Sequence, residues 1–190
     1  MRTVVCDEAG LAAAAAVLNS GGVTVIPTDT VYGLAAHPGF PAAVERLYSI
    51  KGREARKPIA LLATDAAAAA RFLGGSQPPG AAELAARHWP GALTLVLPYP
   101  DGTTFEGLRV PDHAWTRRLL AACGGVLRVT SANLSGQRPA TDASAALADV
   151  GLSADLVVDD GVSPGGAAST VVKIGASGTV ALLRPGPIAI

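Results

Sequence analysis

Residues 22–34, Gly-Val-Thr-Val-Ile-Pro-Thr-Asp-Thr-Val-Tyr-Gly-Leu, constrain this chain more than any other stretch. Val23 to Ile26 are residues that suit a pleated, buried surface, and they run straight into Pro27. Proline has no N–H for a sheet ladder, so the predicted strand stops there. Thr28, Asp29 and Thr30 then put three short polar side chains on a tight exit. Open α/β sheets present ligand-binding groups in this way, at the ends of buried strands. A polar strand-to-helix turn, with Asp29 or Thr30 as a cap, accounts for the same residues. Residue types alone leave both readings open.

The rest of the pattern alternates strand and helix. Strands are predicted at Thr3–Cys6, 23–26, Ile59–Ala63, Leu93–Leu97, within Thr103–Val110, and at Val126–Thr130, Leu156–Asp159, Thr170–Ile174 and Val180–Leu183. Between them lie helices capped by Asp7, by Thr64-Asp65, by Asp112 and by Thr141 or Asp142. Two further helices run from Pro41 to about Ile50 and from about Ala81 to His88. The intermixing predicts an α/β fold with a mixed, twisted sheet. No repeat or linker divides the 190 residues, so one domain, 1–190, is expected.

Composition narrows the function classes. With 49% hydrophobic and 16% charged residues the chain is globular. Fifteen basic side chains balance fifteen acidic ones. That argues against a domain living on bulk nucleic-acid affinity, which needs a basic excess. Cys6 and Cys123 have no metal-ligand spacing and fit a reducing, cytoplasmic location. Apolar runs break well before the roughly 18 residues of a membrane span, and no secretory leader is read at the N-terminus.

The densest charge lies in one short stretch. Arg46, Lys51, Arg53, Arg56 and Lys57 fall within twelve residues, diluted by Glu54 alone. Residues 51–58 read as a basic loop. Arginine forks match phosphate oxygens and lysine adds a point charge, so the loop suits a polyphosphate; a solvated turn or an RNA backbone contact are the alternatives. Arg109-Val110-Pro111 repeats the pattern of strand, polar group and proline stop. Ser131 and Asn133 follow another strand, where they suit a carboxylate, a ribose or an ordinary turn. Neither phosphate-loop glycine motif occurs, nor H-E-x-x-H, and His37, His88 and His113 stand apart. An enzyme built this way works by positioning and charge neutralisation, as phosphoryl and nucleotidyl transfer do.

Read together, these motifs resemble the YrdC-like family. Pro27-Thr28-Asp29-Thr30-Val31-Tyr32-Gly33-Leu34 resembles its P-T-[DE]-T-x-Y-G-L signature. Lys51-Gly52-Arg53 with Lys57-Pro58, and Trp89-Pro90-Gly91-Ala92-Leu93-Thr94, are similar to two more of its motifs. Arg109-Val110-Pro111, Ser131-Ala132-Asn133-Leu134-Ser135-Gly136, Ser169-Thr170-Val171 and Leu183-Arg184-Pro185-Gly186 complete seven in order. Ala92, Ala167-Ala168 and Phe105 depart from the family pattern.

The resemblance implies a twisted mixed sheet with flanking helices and a large concave, partly basic cavity, in the short single-domain form. It implies threonylcarbamoyl-adenylate synthesis from L-threonine, bicarbonate and ATP, with a loosely held Mg²⁺ accompanying the nucleotide. The product would feed N6-threonylcarbamoyladenosine at position 37 of tRNA, making tRNA and the threonylcarbamoyl-transfer proteins expected partners. Carried over by motif, Arg53 and Lys57 are the expected catalytic cations. Thr30, Arg109, Ser131 and Ser169 would hold threonine or its carbamate. Lys51, Arg53, Lys57, Asn133, Thr141 and Arg184 would bind ATP. A non-catalytic module binding tRNA or double-stranded RNA, and a carbamoyltransferase-type relative, are the competing readings.

Overall fold

The computed structural model of the protein describes residues 2–54, 57–75 and 77–190. Its strands are β1 (Arg2–Val5), β2 (Val23–Ile26), β3 (Gly33–Ala36), β4 (Leu61–Ala63), β5 (Leu93–Pro98), β6 (Phe105–Arg109), β7 (Val126–Ser131), β8 (Leu156–Asp159), β9 (Thr170–Ile174) and β10 (Val180–Arg184). The helices are α1 (Glu8–Asn19), α2 (Pro41–Lys51), α3 (Ala66–Phe72), α4 (Ala81–His88), α5 (Ala114–Ala122) and α6 (Ala143–Asp149). All ten strands join one mixed sheet in the order β1-β8-β2-β3-β7-β4-β6-β5-β9-β10.

The alternation of side chains along each strand sorts the core. Val23 and Val25 of β2, with Leu34, Ala36 and Val157, face α2 and α6 through Ala43, Leu47, Ala143 and Ala146. Ile26 turns the other way and joins Ala35, Leu127 and Val158 under α1 and α5, which contribute Ala14, Leu18, Leu119 and Leu120. The far half of the sheet packs Leu61, Leu93, Leu95, Leu97 and Leu108 against Ala68, Ala69 and Leu73 near α3 and against Ala81 and Ala85 of α4. The alanine-rich runs therefore have a structural use, because small side chains let these helices lie close to the sheet.

Three expectations are corrected. No helix follows Pro27: the chain returns as β3, which pairs antiparallel with β2 from Val23↔Ala36 to Ile26↔Gly33. Gly33-Leu34-Ala35-Ala36 carries little strand propensity of its own; pairing with β2 on one side and β7 on the other decides it. Asp112 does not cap α5. His113 is its N-cap, its Nδ1 accepting from the Thr116 N–H at 3.2 Å. Lys51 is not a loop residue but the last residue of α2, buried at 3% exposure. Gly52 caps the helix after it, in the left-handed conformation (φ 59°) that a glycine adopts without strain. Arg56, counted with the basic loop, lies outside the described residues.

Candidate active site

The Pro27–Thr30 exit from β2 is stitched to itself before it meets anything else. The Thr28 hydroxyl donates to the Val31 carbonyl at 2.6 Å and accepts from the Thr30 and Val31 N–H groups at 3.2 and 3.3 Å. That self-bonding holds Thr30 and Asp29 towards Arg109, the last residue of β6. The Arg109 guanidinium donates to Thr30 Oγ1 at 2.8 Å, to Asp29 Oδ1 at 2.5 Å and to the Gly91 carbonyl at 2.8 Å. Burial lowers the pKa of this arginine, against the pull of Asp29. Asp29 thus does more than shape the turn, since removing one partner of a buried ion pair costs roughly 3–5 kcal/mol. Three of the five guanidinium N–H groups are used in these bonds, and two remain for a ligand.

A second arginine approaches the same place from the edge strand of the sheet. Arg184, closing β10, donates to the Ser169 carbonyl at 2.7 and 3.1 Å and to its hydroxyl at 3.2 Å. Ser169 Oγ lies 2.8 Å from Thr94 Oγ1 of β5. Burial lowers the Arg184 pKa, and the positive charges of Arg109 and Arg53 lower it further. Two guanidiniums within electrostatic reach of Arg184 call for an anion.

Lys51 forms the third wall. Its ammonium donates to the Ser131 and Asn133 carbonyls, each at 2.5 Å, and the Ser135 N–H donates to the Lys51 carbonyl at 2.8 Å. Burial pushes its pKa down to about 8, with Arg53 adding to the shift. Asn133 is buried, and its amide donates to the Leu134 and Gln137 carbonyls, so it shapes the 133–137 loop. Ser131 lies opposite Gly33 in the β3/β7 ladder, which sets this loop beside the Thr30 turn. The Tyr32 N–H donates to the Ala140 carbonyl, one residue before Thr141.

The basic loop is arranged differently from the other walls. Arg53 folds back to donate to the Lys57 and Pro58 carbonyls at 2.9 and 3.1 Å. The Lys57 ammonium is half-exposed and pairs with Glu54 at 3.0 Å. The structure thus gathers Thr30, Arg109, Ser169, Arg184, Lys51, Ser131, Asn133 and Arg53, and leaves Lys57 turned to its own loop. Thr94 and the Gly91 carbonyl are site members that residue-type reasoning passed over. Thr94 and Gly91 lay inside the Trp89–Thr94 motif, but nothing in that motif said which atoms face inward. Two cavities, of about 600 and 470 Å³, open elsewhere and are lined by none of the candidate residues; the larger has Thr64, Ala85, Trp89, Val110 and Arg117 on its walls.

Comparison with known proteins places this arrangement. The family model for Sua5, YciO and YrdC proteins, under the description telomere recombination, matches residues 16–186. The chain belongs to the Sua5/YciO/YrdC family. A putative threonylcarbamoyl-AMP synthase of Mycobacterium leprae is 36% identical over 95% of this chain and 84% of its own length. The threonylcarbamoyl-AMP synthase of Bacillus subtilis is 37% identical over 96% of this family member but only 55% of its own length. Among solved structures, Sua5 of P. abyssi, complexed with L-threonine, superposes with a TM-score of 0.88 at 30% identity, over 98% of this chain and 57% of that one. This family member therefore spans little more than half of those two longer relatives. Among its described residues no helix is long and apolar enough to cross a membrane.

Proposed function

We propose that this protein is an L-threonylcarbamoyladenylate synthase, making threonylcarbamoyl-AMP and pyrophosphate from L-threonine, bicarbonate and ATP. The observation that carries the reading is Arg109 on the Thr30 hydroxyl, with Arg184 in the field of Arg109 and Arg53, and Lys51 in that of Arg53, in a chain whose relatives are named for that activity. The two uncommitted N–H groups of Arg109 suit the threonine carboxylate, with Thr30 and Ser169 orienting the rest of the amino acid and Ser131 beside it. The threonine amine takes up carbon dioxide or bicarbonate to give a carbamate. A carbamate oxygen then attacks the α-phosphorus of ATP as pyrophosphate departs in line.

The cations hold the charge that develops. Arg53 and Lys51 face the triphosphate, and Arg184 and Thr141 flank the nucleotide in the concave cavity the family resemblance implies. Lys57 reaches the phosphates by exchanging Glu54 for a phosphate oxygen, an exposed ion pair being worth about 1 kcal/mol or less. Among the described residues no three of His, Cys, Asp and Glu stand together to cage a metal. A Mg²⁺ would arrive with ATP, held chiefly by the phosphates, and would offset their charge there. The product would pass to the cytoplasmic proteins that modify tRNA.

Pyrophosphate release from ATP, measured with and without L-threonine and bicarbonate, tests the reading. Release is expected only with both. Release supported by carbamoyl phosphate in their place would favour the carbamoyltransferase reading. Salt-sensitive RNA binding without turnover would favour the RNA-binding one.

A further inference from the structure

His113 touches none of the residues that would hold substrate, yet it joins two segments that do carry them. On one side its Nδ1 accepts from the Thr116 N–H and lies 3.0 Å from the Thr116 hydroxyl. That hydroxyl is fully buried and donates to the Pro27 carbonyl at 2.8 Å, at the root of the Thr28–Thr30 turn. With Nδ1 accepting, the ring proton sits on Nε2, which donates to Asp160 Oδ2 at 2.9 Å. Asp160 opens the 160–169 segment. Its N–H donates to the Tyr32 hydroxyl at 2.9 Å, and that hydroxyl donates to the Gly161 carbonyl at 2.7 Å.

The 160–169 segment then lies directly against the turn. A Cβ on Gly165 would stand 2.5 Å from the Asp29 carbonyl oxygen and 3.0 Å from Thr30 Cα, so the two backbones leave no room for a side chain. Further along, the segment meets the rest of the site: the Ser163 N–H donates to the Thr141 carbonyl at 2.7 Å, and Ser169 accepts from Arg184.

We propose that His113 is a positioning residue for the threonine side of the site, holding the Pro27–Thr30 turn through Thr116 and the 160–169 segment through Asp160. The proposal rests on the synthase reading. The imidazole, with Tyr32, braces the spacing between Thr30 and Ser169, the two hydroxyls between which the amino acid is oriented, and it bonds none of Lys51, Arg53 and Lys57. Losing the Asp160 arm loosens that spacing without unfolding α5.

Two substitutions separate the arms. His113→Asn keeps an oxygen that can cap Thr116 but is too short to reach Asp160. Asp160→Ala removes the same arm from its other end. In the pyrophosphate assay both variants are expected to raise the KM for L-threonine about tenfold, well above any rise in the KM for ATP. The double variant is expected to be no worse than either single one, because the two residues act as one link. The Tm of His113→Asn is expected to stay near wild type, while that of His113→Ala falls. A wild-type threonine KM in His113→Asn would reduce the residue to a helix cap and overturn the proposal, as would rises that add in the double variant. Wild-type protein without threonine-dependent release would fail the synthase reading alone. Calorimetric titration of threonine into the same variants then decides this proposal, a tenfold weaker Kd supporting it and an unchanged Kd overturning it.

Discussion

Lys51 shows how burial alone changes what a residue can do. Placed at the end of α2 and covered by the 131–135 stretch, its ammonium loses most of its water, and its pKa falls from 10.5 to about 8. Between those values the folded chain has given up a proton that the unfolded chain keeps. This group therefore works in full against the folded state below about pH 8, and that penalty is relieved as pH rises towards 10.5. On the proposed role of Lys51, catalysis would run the other way, because only the protonated form offsets phosphate charge. The kcat/KM for ATP is expected to fall along an alkaline limb with its midpoint near pH 8, without a matching loss of thermal stability. The residual activity of Lys51→Met should lack that limb; a limb at the same pH in this variant would assign it to another group. Both thiols are held in the protonated form: burial, with the carboxylate of Asp160 nearby, pushes Cys6 up to about 12, and burial pushes Cys123 up to about 11.

Elements place the site by where they stop. β2 ends at Ile26 before Pro27, β6 ends at Arg109 before Pro111, and β7 ends at Ser131 before the Asn133 loop. Each end is fixed locally. Helix starts are fixed in the same way, by Asp7, Asp65 and Asp142, whose carboxylates accept from Gly10, Ala68 and Ala145 at 2.7–2.8 Å. The cap on α6 has most bearing on the site, since Thr141 immediately precedes it. Asp142→Ala is expected to cost about 1 kcal/mol of unfolding free energy. Urea titration should show a lower midpoint with an unchanged slope, and a changed slope would mean that more than the cap was lost.

At the scale of the whole molecule the site belongs to no single part. Thr30 follows β2, Arg109 closes β6, Ser131 closes β7, Ser169 precedes β9 and Arg184 closes β10, so its walls come from strands spread across the sheet. A ligand there ties the halves together. An ATP analogue at about 100 times its Kd stabilises by about 2.7 kcal/mol. For a domain of this size that is a rise in Tm of roughly 5–10 °C. Scanning calorimetry should show one transition moving as a whole; a shift confined to one of two transitions would mean that the site sits within one half.

The amino-acid sequence by itself determined the strand and helix rhythm, the proline stops, the aspartate caps and the seven ordered motifs. All of these are local: a missing N–H, a cap three residues from its partner, a side-chain period of 2 or 3.6. Only the tertiary structure decided that Gly33–Ala36 is a strand, since its propensity is weak and its neighbours are supplied by β2 and β7. Only it buried Lys51, a residue that reads as solvated when charge density is counted along the chain. It also turned Asp29 from a turn residue into the partner of Arg109, 80 positions away, and set Arg109 and Arg184 in each other's field. Desolvation and long-range charge depend on what folds around a group, and no spacing along the chain encodes them.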